Sequence, residues 1–341
     1  MKRWYLYPFS LVYHFVTAMR NRMYDWGIFS STKFKTPIIG VGNLSVGGSG
    51  KSPMVMYMAD LLSKNFRTGV LSRGYGRKTK GYGIVNYDST YKMVGDEAMQ
   101  LFERFRNRFV IGVCEDRVFG ARKIIDDMDL DVLLLDDSYQ HRRIKPGFNI
   151  LLTDYNDPYF KDFLLPAGNL RESRRGAKRA DLIVVTKCPE ILTEEKKQFY
   201  INKIKPRHYQ KVFFSSINYD ENVVNKRQQI PVQNLNYYDI LLVTGIANPS
   251  LILKELQKYT QKIKHLKYGD HHSFTIADIE NIKKEYQKLG EYKIILTTEK
   301  DFVRLKYFDF MREKIYYWPI NVEIDRKDEF NQIIENYVRK N

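Results

Sequence analysis

From residue 40 the chain reads Gly40-Val41-Gly42-Asn43-Leu44-Ser45-Val46-Gly47-Gly48-Ser49-Gly50-Lys51-Ser52. Glycines let backbone N–H groups curl around an anion with no Cβ in the way. An apolar run at 37–41 leads into this stretch, and a helical pattern begins at Lys51. A helix starting there adds free N–H groups and a partial positive charge. Gly47, Gly48, Ser49 and Gly50 are therefore expected to cradle the phosphates of a nucleotide. Lys51 would reach the β- and γ-phosphates, and the Ser52 hydroxyl would ligate Mg²⁺. Pro53 falls in the first helical turn, where its missing N–H is tolerated. The usual phosphate-loop pattern has glycine where this chain has Ser45, so Gly47 and Gly48 must supply the curvature. The bland alternative is a glycine-rich turn between a strand and a helix.

A phosphate loop of this kind needs a carboxylate near its metal, commonly at a strand end. Val132-Leu133-Leu134-Leu135-Asp136-Asp137 supplies two. Adjacent carboxylates repel unless a cation or donors compensate, so Asp136 and Asp137 point to Mg²⁺; a solvated strand end is the other reading. Asp96 follows a glycine and precedes a helical pattern, which suits either a general base facing a pocket or an N-cap. His271 and His272 are loop histidines, and His271 could orient such an aspartate. Arg171, Arg174, Arg175, Lys178 and Arg179 form a dense cluster. It could receive a phosphate or anionic lipid headgroups, or be a solvated basic face. Arg73 and Arg77 lie on a glycine-rich stretch after a strand, suited to phosphate contact or to a tight turn. Lys187, at the end of the run 182–186, could meet a nucleotide base.

These residues need a scaffold. Strand-like runs fall at 37–41, 68–72, 109–113, 132–135, 149–153 and 182–186, with helices between several of them. The clearest helix carries Met54, Tyr57, Met58, Leu61 and Leu62 at helical spacing. Such alternation predicts an α/β fold, a P-loop NTPase-like parallel sheet domain covered on both faces. The expected division is an N-terminal helix at 1–28, this domain at 29–212, a polar connection at 213–231 and a smaller α/β domain at 232–341. In the last, strands are expected at 240–244, 262–266, 293–297 and 316–320, with helices from 249, at 277–289 and at 329–338. Hydrophobic residues at 43% and charged residues at 28% are a globular balance. A formal net charge of +16 implies an anionic partner: nucleic acid, a membrane surface or a phosphorylated substrate. Cys114 and Cys188 alone make neither a zinc site nor a disulfide framework.

Residues 4–19 carry no formal charge and are flanked by Lys2, Arg3, Arg20 and Arg22. On a helix, Val12, Phe15, Val16, Met19 and Met23 form one stripe, and Ser10, Tyr13, His14, Thr17 and Asn21 lie opposite. The run is short and polar for a membrane span and lacks a signal-peptide cleavage site. It suits an amphipathic helix lying in a bilayer interface; the alternative is a helix packed on the protein's own core.

The phosphate loop with its non-glycine start resembles that of the lipid A 4′-kinases (tetraacyldisaccharide 4′-kinases). Further motifs follow in that family's order: Ser72-Arg73-Gly74-Tyr75-Gly76-Arg77, Gly95-Asp96-Glu97, Asp116-Arg117, and Leu135-Asp136-Asp137 with Gln140-His141. Then come Pro166-Ala167-Gly168, Leu170-Arg171-Glu172, Thr244-Gly245-Ile246-Ala247, Asp270-His271-His272 and Thr298-Glu299-Lys300-Asp301. Ser138 departs from the glycine usual after the aspartate pair. The resemblance covers about residues 35 to 305. It implies transfer of the γ-phosphate of ATP to the 4′-hydroxyl of a tetraacylated glucosamine disaccharide 1-phosphate in lipid A biosynthesis. By motif position it makes Asp96 the catalytic base paired with His271, alongside Lys51, and places Ser52, Glu97, Asp136 and Asp137 at Mg²⁺. Arg73, Tyr75, Arg77, Arg117, Arg171 and Glu172 become candidate substrate contacts. It implies a peripheral or monotopic protein at the cytoplasmic face of the inner membrane, with a lipid substrate, no nucleic acid and no obligate protein partner. The runner-up is a P-loop GTPase or ATPase switch or a metallochaperone-like protein; against it, the chain has no Asn-Lys-x-Asp and no Cys/His cluster.

Overall fold

The computed structural model describes residues 3–341, so Lys2, one of the expected flanking cations, lies outside them. Strands β1 (Ile38–Asn43), β2 (Thr68–Ser72), β3 (Gly83–Ile84), β4 (Val110–Val113), β5 (Val132–Asp136), β6 (Phe148–Asp154), β7 (Leu182–Thr186) and β8 (Lys211–Tyr219) share one sheet. Among these eight the order is β8-β7-β6-β1-β5-β2-β4-β3, parallel except for β3 against β4, and a ninth strand joins the β8 edge. Helices α1 (Tyr7–Asp25), α2 (Lys51–Leu62), α3 (Tyr91–Val94), α4 (Asp96–Phe105), α5 (Arg117–Met128) and α6 (Glu194–Ile204) belong to the same part of the chain. Strand side chains alternate between faces, so Ile39, Val70 and Leu134 pack with Met54, Met58 and Leu62 of α2. Ile38, Leu71 and Leu133 turn the other way, onto Ala121 and Ile124 of α5. Both faces are covered, which is why these strands read as unbroken apolar runs.

The second sheet contains β9 (Asn222–Val224), β10 (Gln229–Pro231), β11 (Asp239–Thr244), β12 (Ile263–Lys267), β13 (Lys293–Thr298) and β14 (Ile315–Trp318), in the order β10-β9-β14-β13-β11-β12. Helices α7 (Ser250–Leu256), α8 (Ile276–Gln287) and α9 (Glu299–Leu305) accompany it. Two expectations fail here. The segment 213–231 is not an irregular connection: β8 runs on to Tyr219, and β9 and β10 follow at once. The buried residues of β8 run only from Val212 to Ser215, and the polar run after them hides the rest of the strand. Nor does the smaller unit keep the rest of the chain. Pro319, which has no N–H to give a ladder, splits the expected strand at 316–320. Beyond it β15 (Ile320–Ile324) pairs antiparallel with β8 in the first sheet. Helix α10 (Lys327–Lys340) then lays Phe330, Ile334 and Val338 into the first sheet's core.

Helix α1 packs by its polar side. The buried Ser10 hydroxyl donates to the Leu164 carbonyl at 3.0 Å and accepts from Ala167 N at 3.1 Å. Tyr13 donates to the Arg171 carbonyl at 2.9 Å, and Asn21 donates to Glu172 at 2.9 Å. The apolar stripe faces outward, with Phe9 64%, Val12 65%, Phe15 65% and Val16 59% exposed. The helix thus packs on the protein, as the alternative reading expected, but by its polar side and not by its apolar stripe. Among the described residues, no helix is long and apolar enough to cross a membrane.

Candidate active site

The phosphate loop leaves the C-terminal end of the central strand β1. Gly42 has no room for a side chain, since a Cβ there would stand 2.6 Å from that of Tyr139. Gly47 and Gly50 take φ of +107° and +80°, conformations that glycine adopts without strain. The loop is braced from behind: Val46 N donates to the Asn169 carbonyl at 2.8 Å, and Arg171 N to that of Leu44 at 2.7 Å. Lys51 opens α2, its amine 3.5 Å from Asn43 Oδ1 and 3.8 Å from Asp137 Oδ2. Lys187 bonds the Gly48 carbonyl and pairs with Asp154 at 2.8 Å, so its observed role is to hold the loop.

Asp136 ends β5 beside this loop and is buried. Its Oδ2 is 3.5 Å from the Ser72 hydroxyl, while Oδ1 is buried with no hydrogen-bond partner. Burial, then the charges of Glu97 and Asp137, push its pKa well above the carboxylate range. Ser52 donates to Glu97 Oε1 at 3.2 Å, which draws the start of α4 onto the start of α2. Oxygen donors from Ser52, Glu97 and Asp136, one lacking any partner, fit a hard divalent cation such as Mg²⁺. Among the described residues no three His, Cys, Asp or Glu are gathered at metal-binding spacing, so nucleotide oxygens and water would complete the shell. Asp137 is the outer member, ion-paired with Lys51 and, at 3.2 Å, with Arg171.

Asp96 is the first residue of α4, not its N-cap; Gly95, at φ +90°, holds that position. A Cβ on Gly95 would meet the Tyr75 carbonyl at 2.9 Å, so the helix start is pressed against the 74–75 turn. His271 comes from the second sheet's loops and brings Nδ1 to 3.3 Å from Asp96 Oδ2. The buried Arg304 of α9 bonds the same oxygen and reaches Asp301 Oδ1 at 3.3 Å. Asp301 is fixed in turn by Gly245 N at 2.9 Å and the Thr298 hydroxyl at 2.8 Å. Glu299 to Arg104 at 3.1 Å, with Lys306 to Glu103, further joins α9 to α4.

A loop–acid–histidine assembly of this kind has relatives. The family model LpxK, tetraacyldisaccharide-1-P 4′-kinase, matches residues 2–339. A tetraacyldisaccharide 4′-kinase of Bacteroides thetaiotaomicron is 42% identical, over 99% of this chain and 93% of its own length. One from Flavobacterium johnsoniae is 41% identical, over 98% and 97%. The chain belongs to the tetraacyldisaccharide 4′-kinase family. A crystal structure of the "apo" form of LpxK from Aquifex aeolicus in complex with ATP superposes with a TM-score of 0.78 at 30% identity, covering 98% of both chains. Family membership sets aside the switch and metallochaperone readings.

The family's motif residues differ in what they touch. Beside the phosphate loop, the Arg171 guanidinium spans Asp137, Asn43 Oδ1 at 2.7 Å and Gln140 Oε1 at 3.2 Å. Arg73 and Tyr75 are exposed on the turn after β2, and the Tyr75 ring meets that of His271 edge-on, with centroids 5.7 Å apart. Three other expected substrate contacts are engaged within the protein. Arg117 is buried and donates to the carbonyls of Cys114 at 2.6 Å and Asp136 at 3.0 Å, bracing two strand ends. Arg77 pairs with Glu115 at 2.6 Å. Glu172 is buried and accepts from Arg179 at 2.8 Å, Gln140 at 3.1 Å and Asn21, tying α1 down. Of the basic cluster, Arg174 donates to the Asp162 carbonyl at 2.7 Å, while Arg175 and Lys178 are exposed. Sequence reasoning missed Asn43 and Arg304. Asn43 sat unnoticed inside the quoted loop; Arg304 follows the Thr298–Asp301 motif by one helical turn, which is the one signal that could have found it.

Proposed function

We propose that this chain transfers the γ-phosphate of ATP to the 4′-hydroxyl of a tetraacylated disaccharide 1-phosphate at a membrane surface. One observation carries the chemistry: Asp96, one residue from a glutamate bonded to the phosphate-loop serine, is held on Oδ2 by His271 and Arg304. Its Oδ1 takes none of these bonds and is left for an incoming alcohol. A sugar hydroxyl is a poor nucleophile at neutral pH, so an oriented carboxylate that accepts its proton lowers the barrier. The hydroxyl oxygen bonds to the γ-phosphorus, the bridge to the β-phosphate breaks and ADP leaves; the proton passes to Asp96. Lys51 and Arg171 lie where phosphate charge must be balanced. Mg²⁺, held by Ser52, Glu97 and Asp136, would supply charge neutralisation between the phosphates. The ATP in the Aquifex relative supports the choice of nucleotide.

The outward apolar face of α1 supports the location. A four-chain lipid stays in its bilayer, and an interfacial helix bearing Phe9, Val12, Phe15 and Val16 would seat the kinase there. The site is expected at the cytoplasmic face of the inner membrane, reached peripherally. The test is transfer of labelled phosphate from ATP to detergent-dispersed disaccharide lipid, with the new ester located on the sugar. Asp96→Asn should abolish transfer and leave Mg·ATP binding intact. Stimulation of ATP turnover by RNA or DNA and not by glycolipid would defeat the proposal.

A further inference from the structure

His271 stands in the left-handed backbone region, φ +56°, uncommon for a residue other than glycine. Four groups face that ring: Asp96 from α4, Lys300 and Arg304 from α9, and the Tyr75 ring from the turn after β2. The Lys300 ammonium nitrogen lies 2.8 Å from Nε2. An ammonium has three donors and no acceptor, so Nε2 must offer a lone pair. An ionised carboxylate only accepts, so Nδ1, 3.3 Å from Asp96 Oδ2, must carry a hydrogen. Arg304 is also donor-only; at 3.4 Å from Nδ1 it is at the edge of bonding range, and its short bond goes to Asp96. With Arg304 served by Asp96, one protonation state satisfies both Lys300 and Asp96: neutral imidazole with the hydrogen on Nδ1. The other tautomer sets donor against donor at Lys300 and acceptor against acceptor at Asp96. The imidazolium sets an N–H against the ammonium.

We propose that Lys300 is a positioning residue that fixes His271 as its neutral Nδ1–H tautomer, so that the imidazole donates to Asp96 Oδ2 and turns Oδ1 toward the acceptor hydroxyl. It rests on the assignment of Asp96 as base and adds what the histidine does. With Nδ1 already protonated, His271 cannot receive through that atom the proton that Asp96 takes up. It orients the base and does not relay the proton onward. Lys300 acts through the imidazole, giving one of its three N–H donors to Nε2.

The experiment is long-range ¹H–¹⁵N NMR of the full chain labelled at histidine, with His271 assigned by comparison with His271→Gln. The expected spectrum at neutral pH shows a protonated Nδ1 and a bare Nε2. Lys300→Met should lose that signature and lower kcat about tenfold, with KM for ATP and lipid within about twofold of native; Lys300→Arg should restore both. A native spectrum with hydrogen on Nε2, or one unchanged in Lys300→Met, overturns the proposal. So does a rise in KM for ATP with kcat preserved, which would make Lys300 a nucleotide contact. The spectrum needs no turnover, so absence of transfer by the native protein would count against the kinase reading and not against the tautomer.

Discussion

Replacing Arg304 by methionine tests whether the two halves of the site are held by a buried charge. Arg304 is 2% exposed and Asp301 0%, and the pair spans 3.3 Å inside α9. Its other guanidinium nitrogen is bonded to Asp96. Methionine keeps most of the volume and removes the charge, leaving two carboxylates to be compensated. Breaking a buried pair from one side costs about 3–5 kcal/mol. Asp301 retains Gly245 N and the Thr298 hydroxyl, and burial already raises its pKa, so protonation offers a partial escape. The loss should therefore fall near the lower end, about 3 kcal/mol, against a total stability of roughly 5–15 kcal/mol. Asp301→Asn removes the stranded charge and keeps an oxygen for Gly245 N. The double variant Arg304→Met/Asp301→Asn should be less destabilised than the sum of the singles by about 1–2 kcal/mol. Equilibrium urea unfolding of all four proteins measures this, and the transfer assay should show a lower kcat in both Arg304 variants because Asp96 keeps only His271. A single variant within about 1 kcal/mol of native, or strictly additive losses, would refute the reasoning.

Other outcomes follow from the same contacts. Glu172→Gln leaves the half-buried Arg179 without its counter-charge and should destabilise by about 1–2 kcal/mol, with faster proteolysis around α1 because the Asn21 anchor weakens. Burial, then the Arg117 and Arg73 charges, hold the pKa of His141 down to about 4 from 6.5. The unfolded chain takes that proton first, so acid favours unfolding: stability is untouched above 6.5, falls as pH drops toward 4, and levels off below. After discounting for partial exposure the loss is about 2 kcal/mol, and urea midpoints of His141→Gln should show a shallower decline across that window. Val12→Ser with Phe15→Ser should leave the thermal midpoint unchanged, since both side chains face outward. Binding to anionic vesicles should weaken at least about tenfold, because each side chain contributes roughly 1.5–3 kcal/mol when buried in hydrocarbon. Gly42→Ala forces a Cβ against Tyr139 and should cost about 1–3 kcal/mol in unfolding measurements, with loss of nucleotide retention.

Much of the first sheet was legible, because a strand buried on both faces is an unbroken apolar run. The runs at 68–72 and 182–186 match β2 and β7 residue for residue. What local pattern could not show was partnership. Nothing near residue 320 says that β15 leaves the sheet that β14 belongs to, since that choice depends on an open edge at β8, a hundred residues upstream. The same holds for arginines. Arg77, Arg117 and Arg171 read alike in sequence, yet Glu115 claims the first, backbone carbonyls claim the second, and only the third reaches Asp137 beside the phosphate loop. Helix α1 was legible as a helix, but which side faced the protein depended on carbonyls and a carboxylate offered by residues 164–172.

The return of β15 and α10 also bears on how the base and its histidine keep their distance. The second sheet is inserted between β8 and β15, two strands that are neighbours, so both of its covalent connections leave from one edge of the first sheet. A body tethered at one edge would be free to swing unless something held it elsewhere. Helix α9 supplies that second attachment: Glu299 to Arg104, Lys306 to Glu103 and Arg304 to Asp96 all land on α4. Arg104 also donates to the Ile320 carbonyl at 2.7 Å, so this lock reaches the return crossing itself. Because α4 carries Asp96 and Glu97 at its start, the attachment of the second unit and the setting of the base are one set of contacts. Any opening that separated His271 from Asp96 would have to break buried ion pairs on α4. The histidine is therefore built into the resting molecule and does not depend on substrate to bring it to the base.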